Sequence, residues 1–298
     1  MDEFERYYFN NLQCQLSFVD FGNTTAPDLL LLHGMRDHAV SMIDIARALS
    51  SHYHVVALDL RGHGQSDNPG IYTMVQFVAD VRALVQHCEL KTPIVIGHSL
   101  GGHIAARYTA IFQEDVSKLV LLDGMGPPMS NDNDREQQKT HLKFGIHTVS
   151  NLTSEGRQMK DEGEALLRLR KNNPKLSVEL ANNIIEHGIK THSQGGVSWC
   201  FDPSVQMIWH TFSHEETEEL WSWIECPVLI VTGEYALDYW SNMRDSLKGQ
   251  QDFYAQTLRK RQQIFKNARH HVIKDAGHML HYDQPEPLNE LLREFLCA

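Results

Sequence analysis

The chain is predicted to be an α/β protein, a mostly parallel eight-stranded sheet flanked by helices and interrupted once by an inserted helical lid. Three observations predict this. Short apolar runs alternate with helical stretches through the first 125 residues, a polar stretch of helical texture follows, and the strand pattern then resumes. The 298 residues, 42% hydrophobic and 22% charged, suffice for one large domain or a domain with an insertion, and exclude a disulfide-stapled mini-domain or a disordered chain.

Taken in order, Phe4 to Asn10 and Leu12 to Val19 predict an opening hairpin at the sheet edge, turning at Asn10-Asn11 because paired asparagines tolerate positive φ. Leu29 to Leu32, Val55 to Leu60, Ile94 to Ile96 and Leu119 to Leu122 are apolar at nearly every position, as strands covered on both faces are. Ala39 to Leu49, Met74 to His87 and Gly101 to Phe112 carry apolar or small residues at helical spacing and supply the crossovers. After Asp123, Pro127-Pro128 opens a polar stretch expected to run as amphipathic helices to about Glu225, with breaks at Pro174 and Gly195-Gly196. Pro227 to Thr232 and His270 to Lys274 then complete the sheet, and Pro287 to Leu296 closes the chain as a helix. The expected division is a core of residues 1–126 and 226–298 around a lid of residues 127–225.

Charge and cysteine usage narrow the function. Lys and Arg number 27 against 38 Asp and Glu, and the net charge of -11 opposes attraction to nucleic acid or an anionic membrane surface. The five cysteines are odd in number, far apart and without a CxxC pair, which suits a reducing compartment and argues against structural zinc. No apolar run approaches the roughly 18 residues that span a bilayer, and the acidic Met1-Asp2-Glu3-Phe4-Glu5 stands where a secretory signal is basic. A cytoplasmic protein without membrane insertion is expected.

The chemical signature is Gly97-His98-Ser99-Leu100-Gly101, placed between an apolar strand and a helix of small residues. A serine on a sharp, strained turn stands clear of the sheet. Glycines two positions either side avoid the clash that side chains would make there, and the following helix aims its N-terminal amides at the reaction centre. With Leu32-His33-Gly34-Met35, Asp59-Leu60-Arg61-Gly62-His63-Gly64-Gln65-Ser66-Asp67, Ala276-Gly277-His278 and Asp283-Gln284-Pro285-Glu286 in that order, the chain from about residue 10 onward resembles the α/β-hydrolase superfamily. The details look most like its esterase, C–C hydrolase and cofactor-free haloperoxidase branch.

That resemblance implies Ser99 as nucleophile, His278 as base, and the backbone N–H groups of Met35 and Leu100 as the oxyanion hole. The acid has more than one candidate. The family's usual place after the seventh strand falls on an alanine in Gly233-Glu234-Tyr235-Ala236, so Asp123, directly after the Leu119 to Leu122 strand, is the first choice, Asp238 the alternative and Glu234 a third. His33 is read as bracing its loop, His98 as the variable position of the elbow and His63 as part of a turn, His270, His271 and His281 as partly solvated, and Asp37-His38 as a charged surface turn, with the mouth of the pocket as the alternative. Arg61 and Asp67 are expected to brace the loop after the fourth strand.

Neither GxGxxG nor a Walker-type GxxxxGK[ST] occurs, so no nucleotide, other cofactor or metal is expected. A serine at the elbow excludes dehalogenase and epoxide-hydrolase chemistry, which needs a carboxylate there. The implied activity is hydrolysis of a carboxylic ester or thioester of a small to medium, partly hydrophobic substrate through an acyl-enzyme. C–C bond hydrolysis and haloperoxidase or perhydrolase activity use the same residues. From another class, a hydrolase-like ligand receptor would keep the triad and signal through its lid. Trp199, Phe201, Trp209, Trp221, Trp223 and Trp240 concentrate aromatic surface in or just after that lid.

Overall fold

The computed structural model describes residues 3–126, 156–210, 212–243 and 247–297, with a few positions between 139 and 151. The opening of the expected lid at Pro127-Pro128 lies outside the described residues.

Eight strands form one sheet: β1 (Glu5–Asn11), β2 (Cys14–Asp20), β3 (Asp28–Leu32), β4 (His54–Leu58), β5 (Ile94–His98), β6 (Lys118–Leu122), and, later in the chain, Val228–Gly233 and Ala268–Ile273. Their spatial order is β1, β2, β4, β3, β5, β6, Val228–Gly233, Ala268–Ile273. Only the β1–β2 and β2–β4 pairs are antiparallel. The hairpin lies at the edge, as expected, but its turn does not. Asn11 pairs with Cys14, so Leu12 and Gln13 make the two-residue loop, with φ of 48° and 59°. Alternation set this register: Leu16 and Phe18 must both face the core, and that requirement outweighs the asparagines' preference for a left-handed backbone.

Side chains alternate across the sheet. Leu30, Leu32, Val56 and Leu58 face a core shared with α2 (Met74–His87) and α3 (Leu100–Ile111), while Leu29, Leu31, Val55 and Ala57 face α1 (Ile43–Leu49) and the closing helix Pro285–Cys297. Burial on both faces explains why these strands read as unbroken apolar runs. Every parallel strand therefore directs its C-terminal end to the same side, where loops are free to carry chemistry.

Between residues 156 and 225 the chain forms α4 (Glu162–Asn172), α5 (Val178–Gly188), a hairpin of β7 (Ile189–Thr191) and β8 (Val197–Trp199), a 3-10 segment (Pro203–His210) and α6 (His214–Trp223). Asp161, Ser177 and Ser213 cap the three α-helices, each side chain accepting from the amide three residues on. The hairpin departs from the all-helical expectation. Gly195 and Gly196, at φ 91° and 82°, lie in its loop rather than breaking a helix. Asp202 ties this region to the core, donating its amide to Gly62 and accepting from the Tyr72 hydroxyl at 2.6 Å. Past it, β9 (Val228–Gly233), α7 (Ala236–Met243), α8 (Gln251–Gln262), β10 (Ala268–Ile273), the single turn α9 (Leu280–Asp283) and α10 (Pro285–Cys297) complete the fold. No helix among the described residues is long and apolar enough to cross a membrane.

Candidate active site

Ser99 occupies the junction of β5 and α3 at φ 51° and ψ −114°, a left-handed conformation costly for a residue with a Cβ. Packing holds it there. A Cβ on Gly97 would lie 2.3 Å from the carbonyl oxygen of Gly101, and one on Gly101 would lie 2.2 Å from that of Leu32. Only glycine lets the helix start this close to the strand, and the closeness raises the serine above the sheet. Leu100 is the first residue of α3, so its N–H has no acceptor within the helix. Met35 lines the same cavity as Ser99.

His278 is in the loop between β10 and α9, almost fully buried. Its Nε2 lies 3.0 Å from Ser99 Oγ, and its Nδ1 is hydrogen-bonded to Asp123 Oδ2. A carboxylate accepts only, so Nδ1 carries the proton and Nε2 offers its lone pair to the serine hydroxyl. Asp123 follows β6 directly, at φ 45°, with its amide bound to the Val231 carbonyl at 2.7 Å. Its second oxygen accepts from the Tyr254 hydroxyl at 3.4 Å. Of the three candidate carboxylates, Asp123 is the one at His278. Glu234 is an acceptor for the Asp275 amide, and Asp238 sits in the first turn of α7, exposed at the cavity edge.

Sequence patterns did not identify the groups that hold His278 in place. The Tyr239 ring stacks on the imidazole at 3.9 Å and 14°, and Trp240 meets it edge-on at 5.4 Å. His98 Nε2–H donates to the His278 main-chain carbonyl at 2.9 Å, so the variable position of the elbow fastens the loop that carries the imidazole. Aromatic residues at the start of the helix after β9 were the available signal, since that helix begins at the C-terminal edge of the sheet.

Several expectations need correction. His281 is fully buried rather than solvated, because α9 packs it against His98 with ring centroids 4.5 Å apart. Asp37 and His38 are buried too: Asp37 accepts from the Tyr282 hydroxyl at 2.9 Å, and His38 Nε2–H donates to the Ile184 carbonyl of α5. Arg61 pairs with Asp80 of α2 at 2.5 and 2.6 Å, and Asp67 accepts from the Gln15 amide through its side chain and from the Gly62 amide through its carbonyl, so both tie down the loop after β4. His33 does brace its loop, accepting from the Leu60 amide. Of the aromatics, Trp199 and Phe201 line the cavity and Trp221 is core, whereas Trp223 is largely exposed.

The cavity over Ser99 measures about 1220 Å³. Residues between 157 and 201 supply many of its lining side chains, and Arg36, Arg157, Arg168, Lys171 and Lys175 line it together with Asp37, Asp238 and Asp283. Burial keeps the nearby imidazoles neutral: His98 falls well below its ordinary value and His281 to about 3. A serine, an imidazole with a free lone pair, a buried carboxylate and a strained elbow together can transfer an acyl group.

The chain belongs to the α/β-hydrolase fold family, whose model matches residues 27–285. Its relatives include proteins named as esterases and as serine hydrolase-like proteins. A putative esterase/lipase of Haemophilus influenzae is 24% identical over 91% of this chain and 83% of its own. Serine hydrolase-like protein 2 of Homo sapiens is 25% identical over 93% of this chain and 88% of its own. Among solved structures, a thioesterase domain from the curacin biosynthetic pathway superposes with a TM-score of 0.81 at 22% identity, covering 98% of this chain and 99% of that one. At that identity the likeness carries the fold alone.

Proposed function

We propose that this protein is a serine hydrolase that cleaves a carboxylic ester or thioester of a small to medium, partly hydrophobic substrate through an acyl-enzyme. The observation that carries the reading is the hydrogen-bonded line from Ser99 Oγ through His278 to Asp123 at the floor of a large cavity. His278 takes the hydroxyl proton as Ser99 Oγ attacks the carbonyl carbon. Asp123 fixes the tautomer and stabilises the imidazolium that forms. The amides of Leu100 and Met35 receive the developing oxyanion. The proton then passes from His278 to the departing alkoxide or thiolate. A water deprotonated by His278 attacks the acyl-enzyme, and the acid leaves as Ser99 regains its proton.

Residues 127–225 act as a lid over this centre, a reading supported by the residues they place on the cavity wall and by the Asp202 tie to the core. Five cationic side chains against three carboxylates around the cavity, on a chain of net charge -11, favour substrates with an anionic group remote from the scissile bond.

Fluorophosphonate labelling tests the assignment. The adduct should map by mass spectrometry to Ser99, and Ser99→Ala and His278→Ala should each abolish turnover of p-nitrophenyl butyrate with little change in thermal melt. Retained activity in either variant would refute the nucleophile and base. Many turnovers per chain separate a hydrolase from a ligand receptor, which stalls after about one equivalent.

A further inference from the structure

Beside the proposed catalytic residues lies a group of side chains that the hydrolytic steps do not use. Asp37, from the loop after β3, His98 of the elbow and His281 of α9 are 8%, 1% and 1% exposed. Each offers one ligand atom, and the three atoms lie within 4.8 Å of one another. His98 Nδ1 and both ring nitrogens of His281 are buried without a hydrogen-bond partner. Orphaned buried nitrogens are rare, because each forfeits its solvation with nothing in return.

The free lone pairs suit a cation. His98 Nε2–H donates to a carbonyl, so Nδ1 keeps its lone pair. Asp37 accepts one bond on each oxygen, from the His38 amide and the Tyr282 hydroxyl, which leaves lone pairs free. Distances permit closure. Three atoms no more than 4.8 Å apart all lie within about 2.8 Å of a common centre, and each must move about 0.7 Å to reach the roughly 2.1 Å of a zinc–nitrogen or zinc–carboxylate bond. Asp37 and His98 line the cavity over Ser99, which gives an ion a path in and a water for the fourth position.

We propose that Asp37, His98 and His281 form a reversible site for a borderline divalent transition metal, such as Zn²⁺ or Co²⁺, and that filling it switches the enzyme off. Two imidazoles and a carboxylate are the donor set such ions prefer over Mg²⁺ or Ca²⁺. The coupling is direct. His98 holds the main chain of His278 through its other nitrogen, so drawing the ring toward a metal loosens that bond and disturbs the 3.0 Å contact between His278 and Ser99. This site runs against the absence of metal expected from the sequence, where residues 37, 98 and 281 share no motif. Inhibition presupposes the hydrolase function proposed for Ser99; metal binding does not.

The experiment uses tag-free protein stripped with EDTA, titrated with Co²⁺ by visible absorption and with Zn²⁺ by calorimetry. One equivalent should bind, esterase activity should fall in proportion to occupancy, and EDTA should restore it. Asp37→Asn and His281→Gln should each weaken binding by more than about tenfold, and His281→Gln, away from the cavity wall, should keep metal-free turnover at pH 7.5. No stoichiometric binding, or binding that survives both substitutions, would overturn the site. Binding without inhibition would overturn the switch. Co²⁺ binding with the expected response to both substitutions, in a protein devoid of esterase activity, would uphold the site and count against the hydrolase reading alone.

Discussion

Asp123→Asn probes the base more sharply than deletion of His278, because the change is nearly isosteric and its consequence follows from the hydrogen bonds on either side. The Tyr254 hydroxyl donates to Oδ1, and burial holds that phenol well above its ordinary value, so it stays a donor. In the variant the amide oxygen is drawn to Tyr254, and the amide NH₂ takes the place of Oδ2 against His278 Nδ1. Nδ1 must then accept, which moves the imidazole proton to Nε2. An N–H now faces Ser99 Oγ where a lone pair is needed. A wrong tautomer costs about 10⁴ in kcat, or about 5.4 kcal/mol of barrier, with KM little changed. The assay is steady-state hydrolysis of p-nitrophenyl butyrate, with the rate of fluorophosphonate labelling as an independent measure of serine nucleophilicity. Adding Tyr254→Phe frees the amide to turn its oxygen to Nδ1–H, and should recover about fivefold, the worth of one ordinary hydrogen bond. An Asp123→Asn variant within about tenfold of wild type, with Asp238→Asn the one that collapses, would refute the reasoning.

Removing the ring that covers His278, in Tyr239→Leu, should lower kcat about five- to thirtyfold, since an aromatic face contributes about 1–2 kcal/mol to a desolvated cation, while Tyr239→Phe should stay near wild type. Gly101→Ala sets a Cβ against the Leu32 carbonyl and should cost about 2–3 kcal/mol in denaturant unfolding; an unchanged midpoint would deny that the elbow is packed this tightly. Acid should destabilise the fold through its buried imidazoles. His33 and His281 are pushed down to about 3 and His63 to about 4 by burial, so below pH 6.5 the unfolded chain binds protons that the folded one refuses, and stability falls with pH from there toward 4. His281→Gln should flatten that slope in melts recorded between pH 7.5 and pH 5. Reversing charge on the cavity wall, in Arg157→Glu with Lys171→Glu, should raise KM several-fold for a succinate half-ester and leave a neutral ester of the same size unaffected, an effect that fades with added salt.

The centre of the sheet was legible because β3, β4, β5, β6 and β9 are covered on both faces and leave nearly unbroken apolar runs. Met74–His87 was legible to the residue, since Thr73 caps it and Phe77, Val81 and Leu84 mark its buried side. Ser99 and His278 were singled out from local patterns, the first because steric demands force glycines around it, the second from its Gly-His loop. The carboxylate was not settled by sequence. Asp123, Asp238 and Glu234 all follow strands, and choosing among them takes the path of the loop after each. The hairpin turn was misplaced because asparagine preference is a local cue and register is set across the sheet. Tyr239 and His281 escaped for a related reason: their role depends on which ring they face, and that depends on helices whose rotation periodicity does not fix.

Ser99, His278 and Asp123 all sit on loops of the sheet, whereas one continuous stretch, residues 157–201, supplies many of the side chains around the cavity. Under the proposed function, reaction and much of the selectivity would be written on separate parts of the gene. A chimera that grafts another hydrolase's corresponding stretch onto this scaffold would exchange the preferred substrate without touching the elbow. Natural divergence has the same latitude, and two homologues with matching elbows can serve unrelated metabolites.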